Sequence, residues 1–217
     1  MIDALALYGQ ETSGCVRCPL SATRTQVVFG SGDSNAELMF VGEAPGFHED
    51  QQGVPFVGQA GQLLEKLLNG IGLSRTDVYI ANVLKCRPPG NRDPQPEEIE
   101  ACESHLFRQI ELIKPTLVAT LGNFATKLLS GKPAGITRVH GVPQQVTLGG
   151  NAVTLYPLYH PAAALYTRAM LSVLEEDFAR LPQLLGVPAP AQEVPEPFVP
   201  EPVFERAPEP VVQLGLF

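Results

Sequence analysis

The plainest chemical signal in this chain comes from its four cysteines. Cys15 and Cys18 form a C-x-x-C pair, and Cys86 and Cys102 follow far along the sequence. The opening, MIDALALYGQETSG, has no basic segment ahead of its apolar residues, so a cytoplasmic location is expected, where thiols stay reduced. Metal ligation is then a better reading than a pair of disulfides or unlinked core cysteines. Four thiolates suit a structural zinc or an iron–sulfur cluster, and spacing alone does not separate the two.

Three other positions offer an acid, an amide and an imidazole. Glu43 opens the glycine-dense segment GEAPGFHEDQQGVPFVGQAG, which also carries Glu49, Asp50 and Phe56. The segment lacks the Gly-Lys-Ser/Thr ending of a P-loop, which argues against a nucleoside triphosphate. Its glycines let backbone approach a flat ligand closely; the alternative is a mobile loop with solvated acids. Asn82, in ANVLKCRPPG, is either a turn or capping residue or an amide that presents a donor and an acceptor side by side. His160 heads HPAAAL, where an imidazole either caps a helix or donates to a developing anion.

Such side chains work together only if the fold brings them to one place. LMFV (38–41), VYIANVL (78–84), TLVATLG (116–122) and VTLYPLYH (153–160) read as strands. Between them fall helix-spaced stretches: GQLLEKLLNGIG from Gly61, a segment opened by Pro96-Glu97-Glu98 and running to about Ile113, and FATKLL. PAAAL and an amphipathic stretch over 168–185 follow the last strand. Strands alternating with helices imply a three-layer α/β/α fold around a central, mainly parallel four-stranded sheet. Ligands bind beyond the carboxyl ends of such strands, where Gly42-Glu43-Ala44-Pro45-Gly46, Asn82, Gly122-Asn123 and His160 all fall.

The length of 217 residues suits one folded domain, expected over 1–188. Residues 189–212 are proline- and glutamate-rich with no helical or strand period and are expected to form a flexible linker. The chain then ends in QLGLF (213–217). A net charge of −8 argues against a protein that coats nucleic acid, but five Glu and one Arg lie from residue 189 onward. The remainder holds 14 basic against 18 acidic residues, with cations grouped as Lys85, Arg87 and Arg92, then Lys127, Lys132, Arg138 and His140. A local cationic face is compatible with that distribution. No apolar run is long enough to span a membrane, and a monomer is expected.

Four blocks, CVRCPL, GEAPGFHEDQQGVPFVGQAGQLL, NVLKCRPPGNRDPQPEEIEAC and HPAAAL, occur in order and resemble the motifs of family 4 uracil-DNA glycosylases over about residues 15–185. The resemblance implies a [4Fe-4S] cluster on Cys15, Cys18, Cys86 and Cys102. It also implies excision of uracil from single- or double-stranded DNA in base excision repair, at the nucleoid of a bacterial cytoplasm. Glu43 would orient or activate the attacking water and stabilise positive charge on the sugar, and His160 would stabilise negative charge on the leaving base. Phe56 would stack on uracil and Asn82 would read its edge. Glu49 and Asp50 match the family's acidic pair, shaping the pocket wall or assisting the water, while Gly42, Ala44 and Gly46 would line the site through their backbones. Lys85, Arg87 and Arg168 are the cations expected to meet DNA. After HPAAAL the family pattern has an arginine followed by a proline, whereas this chain reads YTRAM. The basic KRRIH insert of a branch that crosslinks itself to abasic DNA is absent, so turnover is expected. The terminal QLGLF resembles the peptide by which bacterial repair proteins dock on the sliding clamp, through Gln213, Leu214, Leu216 and Phe217. Two rival readings are a module that only holds DNA or partners, and a zinc hydrolase.

Overall fold

An uninterrupted apolar strand has no face to offer water and needs cover on both sides. The computed structural model describes residues 3–186 and supplies that cover; the expected linker and the terminal QLGLF lie outside the described residues. Six strands form one sheet: β1 Ser31–Gly32, β2 Leu38–Gly42, β3 Tyr79–Asn82, β4 Leu117–Leu121, β5 Gln144–Leu148 and β6 Asn151–Leu158. Their order is β1-β3-β2-β4-β6-β5, and the four central strands are mutually parallel.

The helices are α1 Ala4–Ser13, α2 Phe47–Gln52, α3 Gln59–Gly70, α4 Pro96–Ile113, α5 Asn123–Ser130, α6 Ile136–Val139, α7 Pro161–Ala164, α8 Arg168–Phe178 and α9 Leu181–Leu184. Alternation along each strand divides the core between two layers. Met39, Val41, Tyr79, Ala81 and Val118 pack with Leu5 of α1, Leu106 and Ile110 of α4 and Leu129 of α5. Leu38, Phe40, Ile80, Ala119 and Leu158 pack with Leu64 and Leu68 of α3 and Leu174 and Phe178 of α8. The three-layer arrangement is therefore as expected.

Two strands were not anticipated. β1 is a two-residue antiparallel edge on β3 with no apolar pattern to reveal it, and β5 is a half-exposed antiparallel edge on β6. The turn joining β5 to β6 is Gly149-Gly150, both at positive φ, and a Gly-Gly pair between alternating residues is a recognisable hairpin signal. The expected helix over 168–185 is two helices, because Pro182 lacks the N–H that a continuous helix needs and instead sits in the first turn of α9. The α4 bounds agree with expectation: Pro96 occupies its first turn, Glu98 accepts from the Gln95 N–H, and Lys114 ends it in a left-handed conformation. No helix among the described residues is long and apolar enough to cross a membrane.

Candidate active site

Parallel register sets the site. Gly42 at the end of β2 lies opposite Asn82 at the end of β3, and β4 pairs with β6 through Leu121 and Leu158, so His160 leaves the same sheet edge two residues later. The chain beyond these strand ends encloses a cavity of about 680 Å³ whose lining includes Glu43, Glu49, Phe56, Asn82, Arg92 and His160. Gly42 is the floor. A Cβ there would fall on the Asn82 Oδ1 and the tip of the Phe56 ring, so only a bare backbone leaves room for both.

Phe56 holds φ 55°, a left-handed conformation that is costly for a bulky residue. Its surroundings impose that conformation. Arg75 Nη1 donates to the Phe56 carbonyl at 2.8 Å and Arg75 Nη2 to the Pro55 carbonyl at 2.6 Å, while Gly61 of α3 packs so tightly on the Phe56 backbone that no side chain fits. The ring is left facing His160, with centroids 5.6 Å apart and planes 27° from parallel.

His160 has a defined tautomer. The Ala162 N–H donates to its Nδ1 at 3.1 Å, so Nδ1 is the unprotonated nitrogen and Nε2 carries the hydrogen. Burial pushes the imidazole down to about 4, and the Glu49 charge offsets only part of that effect. A neutral ring with one N–H to give therefore faces the cavity near neutral pH. Across from it, burial lifts the Glu43 carboxyl above its ordinary range, and the Asp93 charge adds to the rise. Asn82 is 2% exposed, and its Oδ1 is the one buried side-chain polar atom without a partner among the described residues. An orphaned buried acceptor costs about 1–3 kcal/mol unless a ligand donates to it.

Other expected site residues are placed differently. The Glu49 carboxylate accepts from the N–H groups of Gly46, Val57 and Gly58, at 3.1, 2.9 and 2.9 Å, so it ties the two glycine-rich turns together at the wall. Asp50, expected to act in catalysis, is 3% exposed, does not line the cavity, and gives both oxygens to the Thr25 N–H at 2.9 and 3.1 Å. Its carboxylate is committed to structure. Lys85, expected to meet DNA, is 1% exposed, with Nζ donating to the Asn82 carbonyl at 2.8 Å and to Gln109 Oε1 at 2.6 Å. It supports the backbone of Asn82 instead. Arg87 is half-buried beside the cavity mouth, and Arg168 is exposed at the start of α8. Ala44 and Gly46 line the cavity. Arg75 and Gln109 were missed; neither stands in a local pattern that announces its role.

The four cysteines come from separate elements that the fold brings together. Cys15 follows α1, Cys18 opens the short 3-10 turn Pro19–Ala22, Cys86 follows β3, and Cys102 lies in α4. Two N–H groups point at sulfur, and a histidine ring nitrogen lies beside a third. The Lys85 backbone reaches Cys102 Sγ at 3.3 Å, Arg24 Nη1 reaches Cys86 Sγ at 3.4 Å, and His105 Nε2 lies 3.3 Å from Cys15 Sγ. The His105 Nδ1 meets the Tyr8 hydroxyl at 2.7 Å. Burial pushes the Cys86 thiol up to about 11 and raises that of Cys102, so a bound cation would be needed to hold them as thiolates. Among the described residues no three His, Cys, Asp or Glu side chains are gathered tightly enough to hold a single metal ion.

Comparison with known proteins gives a consistent result. The family model described as "Uracil DNA glycosylase superfamily" matches residues 29–181. A protein of Saccharolobus solfataricus named type-4 uracil-DNA glycosylase is 47% identical over 85% of this chain and 88% of its own length. Type-4 uracil-DNA glycosylases of Archaeoglobus fulgidus and Thermotoga maritima are 46% and 45% identical, over 82% and 77% of this chain and 91% and 86% of theirs.

The His160 geometry has a direct spectroscopic consequence. Because burial penalises the charged form, the ring stays neutral as pH falls through the ordinary histidine value of about 6.5 and takes its second proton only near 4. Carbon-detected NMR of the histidine rings checks this: His160 titrates near 4, and a midpoint at the ordinary value would contradict the half-buried, capped placement.

Proposed function

Since the chain belongs to the uracil DNA glycosylase superfamily, we propose that Glu43, Asn82 and His160 form the centre that hydrolyses the bond between uracil and deoxyribose. The enzyme is a DNA glycosylase of base excision repair, and its product is an abasic site. A base stacked in a duplex is out of reach, so the uracil nucleotide turns out of the helix into the cavity.

The observation that carries the residue assignment is the unpartnered Asn82 Oδ1, buried between Gly42 and Phe56. Uracil offers N3–H to that oxygen and O4 to the amide N–H. Cytosine turns a bare N3 toward the same acceptor and an amino group toward the donor, so it is refused. Phe56, pinned by Arg75, supplies the flat surface. As the bond from C1′ to N1 breaks, its electron pair stays on uracil, and the neutral His160 Nε2–H donates to the base oxygen that takes up the charge. Glu43 stands on the sugar side, where its carboxylate stabilises the positive C1′ and orients the water that adds there. Glu49 shapes the wall through its three N–H bonds, and Asp50 holds the Thr25 segment against α2.

The four cysteines are suited to an iron–sulfur cluster of the [4Fe-4S] kind. N–H donors aimed at the Cys86 and Cys102 sulfurs complement the charge of cluster thiolates, and the His105 ring lies beside Cys15. Such a cluster would cross-link the α1 end, the segment after β3 and α4. Outside the described residues, the QLGLF peptide at 213–217 is proposed to dock the enzyme on a sliding clamp, with the Pro/Glu-rich segment before it as tether. Turnover as a monomer and a cytoplasmic location belong to the same proposal.

Three outcomes check this reading. Incubation with uracil-containing single- and double-stranded oligonucleotides, followed by alkali, gives strand cleavage. Glu43→Gln and Asn82→Ala largely abolish it, and His160→Ala slows it by roughly 10²- to 10³-fold through loss of one donor; wild-type rates in all three would remove the centre assigned here. The purified protein shows broad visible absorption and holds iron and inorganic sulfide in equal amounts, whereas a colourless zinc protein would overturn the cluster. Deleting residues 213–217 abolishes clamp binding and leaves excision on short oligonucleotides unchanged; undiminished clamp affinity would reject the docking peptide.

A further inference from the structure

A cavity of about 680 Å³ is of the size that holds drug-sized ligands, about 300–1,000 Å³, and one pyrimidine leaves much of it unfilled. The rest of the lining runs outward from the Asn82 and Phe56 end to Phe47, Pro88, Asn91 and Arg92. Phe47 is unusual among them because it is a large apolar residue left 51% exposed. Leaving a phenylalanine half in water at a cavity mouth forgoes burial worth about 25 cal/mol per Å². Of the large hydrophobic side chains exposed among the described residues, Phe47 and Tyr166 are aromatic, and Phe47 is the one that lines this cavity.

The ring is also held in place. The Arg87 guanidinium carbon lies 5.1 Å from its centroid, and His48 meets its edge, with centroids 5.5 Å apart and planes 80° from parallel. Arg87 is fixed in turn, since its Nε donates to Asn91 Oδ1 at 2.7 Å, and Asn91 itself sits at φ 55°. Farther along, the same segment is anchored by the bidentate pair of Arg92 with Glu98, at 2.9 and 2.6 Å. An exposed aromatic ring backed by a guanidinium and set beside cations is the equipment for stacking an unpaired base while its phosphate meets positive charge. Because Arg87 Nε is committed to Asn91, its Nη groups are left for phosphate.

We propose that Phe47 and Arg87 form a stacking platform for the nucleobase next to the extruded uracil, so that the enzyme engages at least two consecutive unstacked nucleotides of a single-stranded segment. The proposal rests on the uracil-excision reading above and adds a second base subsite to it. Uracil alone is read by Asn82; its neighbour is held without regard to sequence, since every base has a face to stack. Substrates with an unpaired neighbour are therefore favoured over a fully paired duplex.

The test uses the full chain and single-stranded oligonucleotides with a central uracil, in which the base immediately 5′ or immediately 3′ is replaced by a tetrahydrofuran abasic analogue. Wild type loses roughly tenfold in kcat/KM when the base on the platform side is missing, mostly through KM, in line with base–aromatic stacking. Phe47→Ala loses a similar factor on the intact oligonucleotide and nothing further when that base is removed. Phe47→Trp, which keeps a stacking face, restores both the affinity and the sensitivity to the missing base, and an unchanged visible spectrum in each variant shows that folding is intact. If the losses from Phe47→Ala and from the missing base multiply on both sides, the platform is wrong while the glycosylase reading stands. Absence of excision by wild type on the intact oligonucleotide would remove the glycosylase reading itself, and the platform with it.

Discussion

The space beside the Gly42 Cα, where a side chain would project, is filled by two other residues. The Asn82 carboxamide and the Phe56 ring occupy it, and the rest of the site is built to keep them there. Parallel pairing of β2 with β3 puts Gly42 and Asn82 in register. The left-handed turn at Phe56 is held by Arg75 on its carbonyl and by Gly61 beneath its backbone. What results is a rigid slot with one unsatisfied acceptor, a flat wall and a neutral imidazole across from it. Preorganisation of this kind means that little has to move when charge develops on a bound base.

The main chain of Asn82 joins the slot to the cysteines. Lys85 gives its ammonium to the Asn82 carbonyl and to Gln109 of α4, and its backbone N–H to the Cys102 sulfur. Gln109 continues to the Phe29 carbonyl and to the Tyr79 hydroxyl. A buried cation between the pocket strand and the thiol-bearing helix thus fixes one relative to the other. Cys86 and Cys102 also bracket the segment that carries Arg87, Asn91 and Arg92 at the cavity mouth. Holding these thiols together restrains that segment at both ends.

Much of this was legible in the sequence because buried parallel strands write themselves as apolar runs, and the residues that end such runs must meet at one edge of the sheet. Glu43, Asn82 and His160 follow from that rule, and the structure lines one cavity with all three. The polar edge strand β5 was overlooked because half its side chains face water, although its Gly149-Gly150 turn was there to be read. Charge misled at two positions. Lys85 and Asp50 look like surface groups, yet each is buried on a side-chain or backbone partner 24 or 25 residues away in sequence, which leaves no local trace, and Lys85 also reaches the nearby Asn82 carbonyl. Arg75 escaped notice for the same reason, since its carbonyl partners are 19 and 20 residues upstream.

In the proposed reaction Asn82 waits with an open acceptor for the edge of uracil. A crystal structure of the protein with uracil bound tests it most directly. The expected complex has the ring lying on Phe56, N3–H donating to Asn82 Oδ1, and a uracil oxygen within hydrogen-bond reach of His160 Nε2. Uracil bound in the cavity with the Asn82 Oδ1 still unpartnered would contradict it.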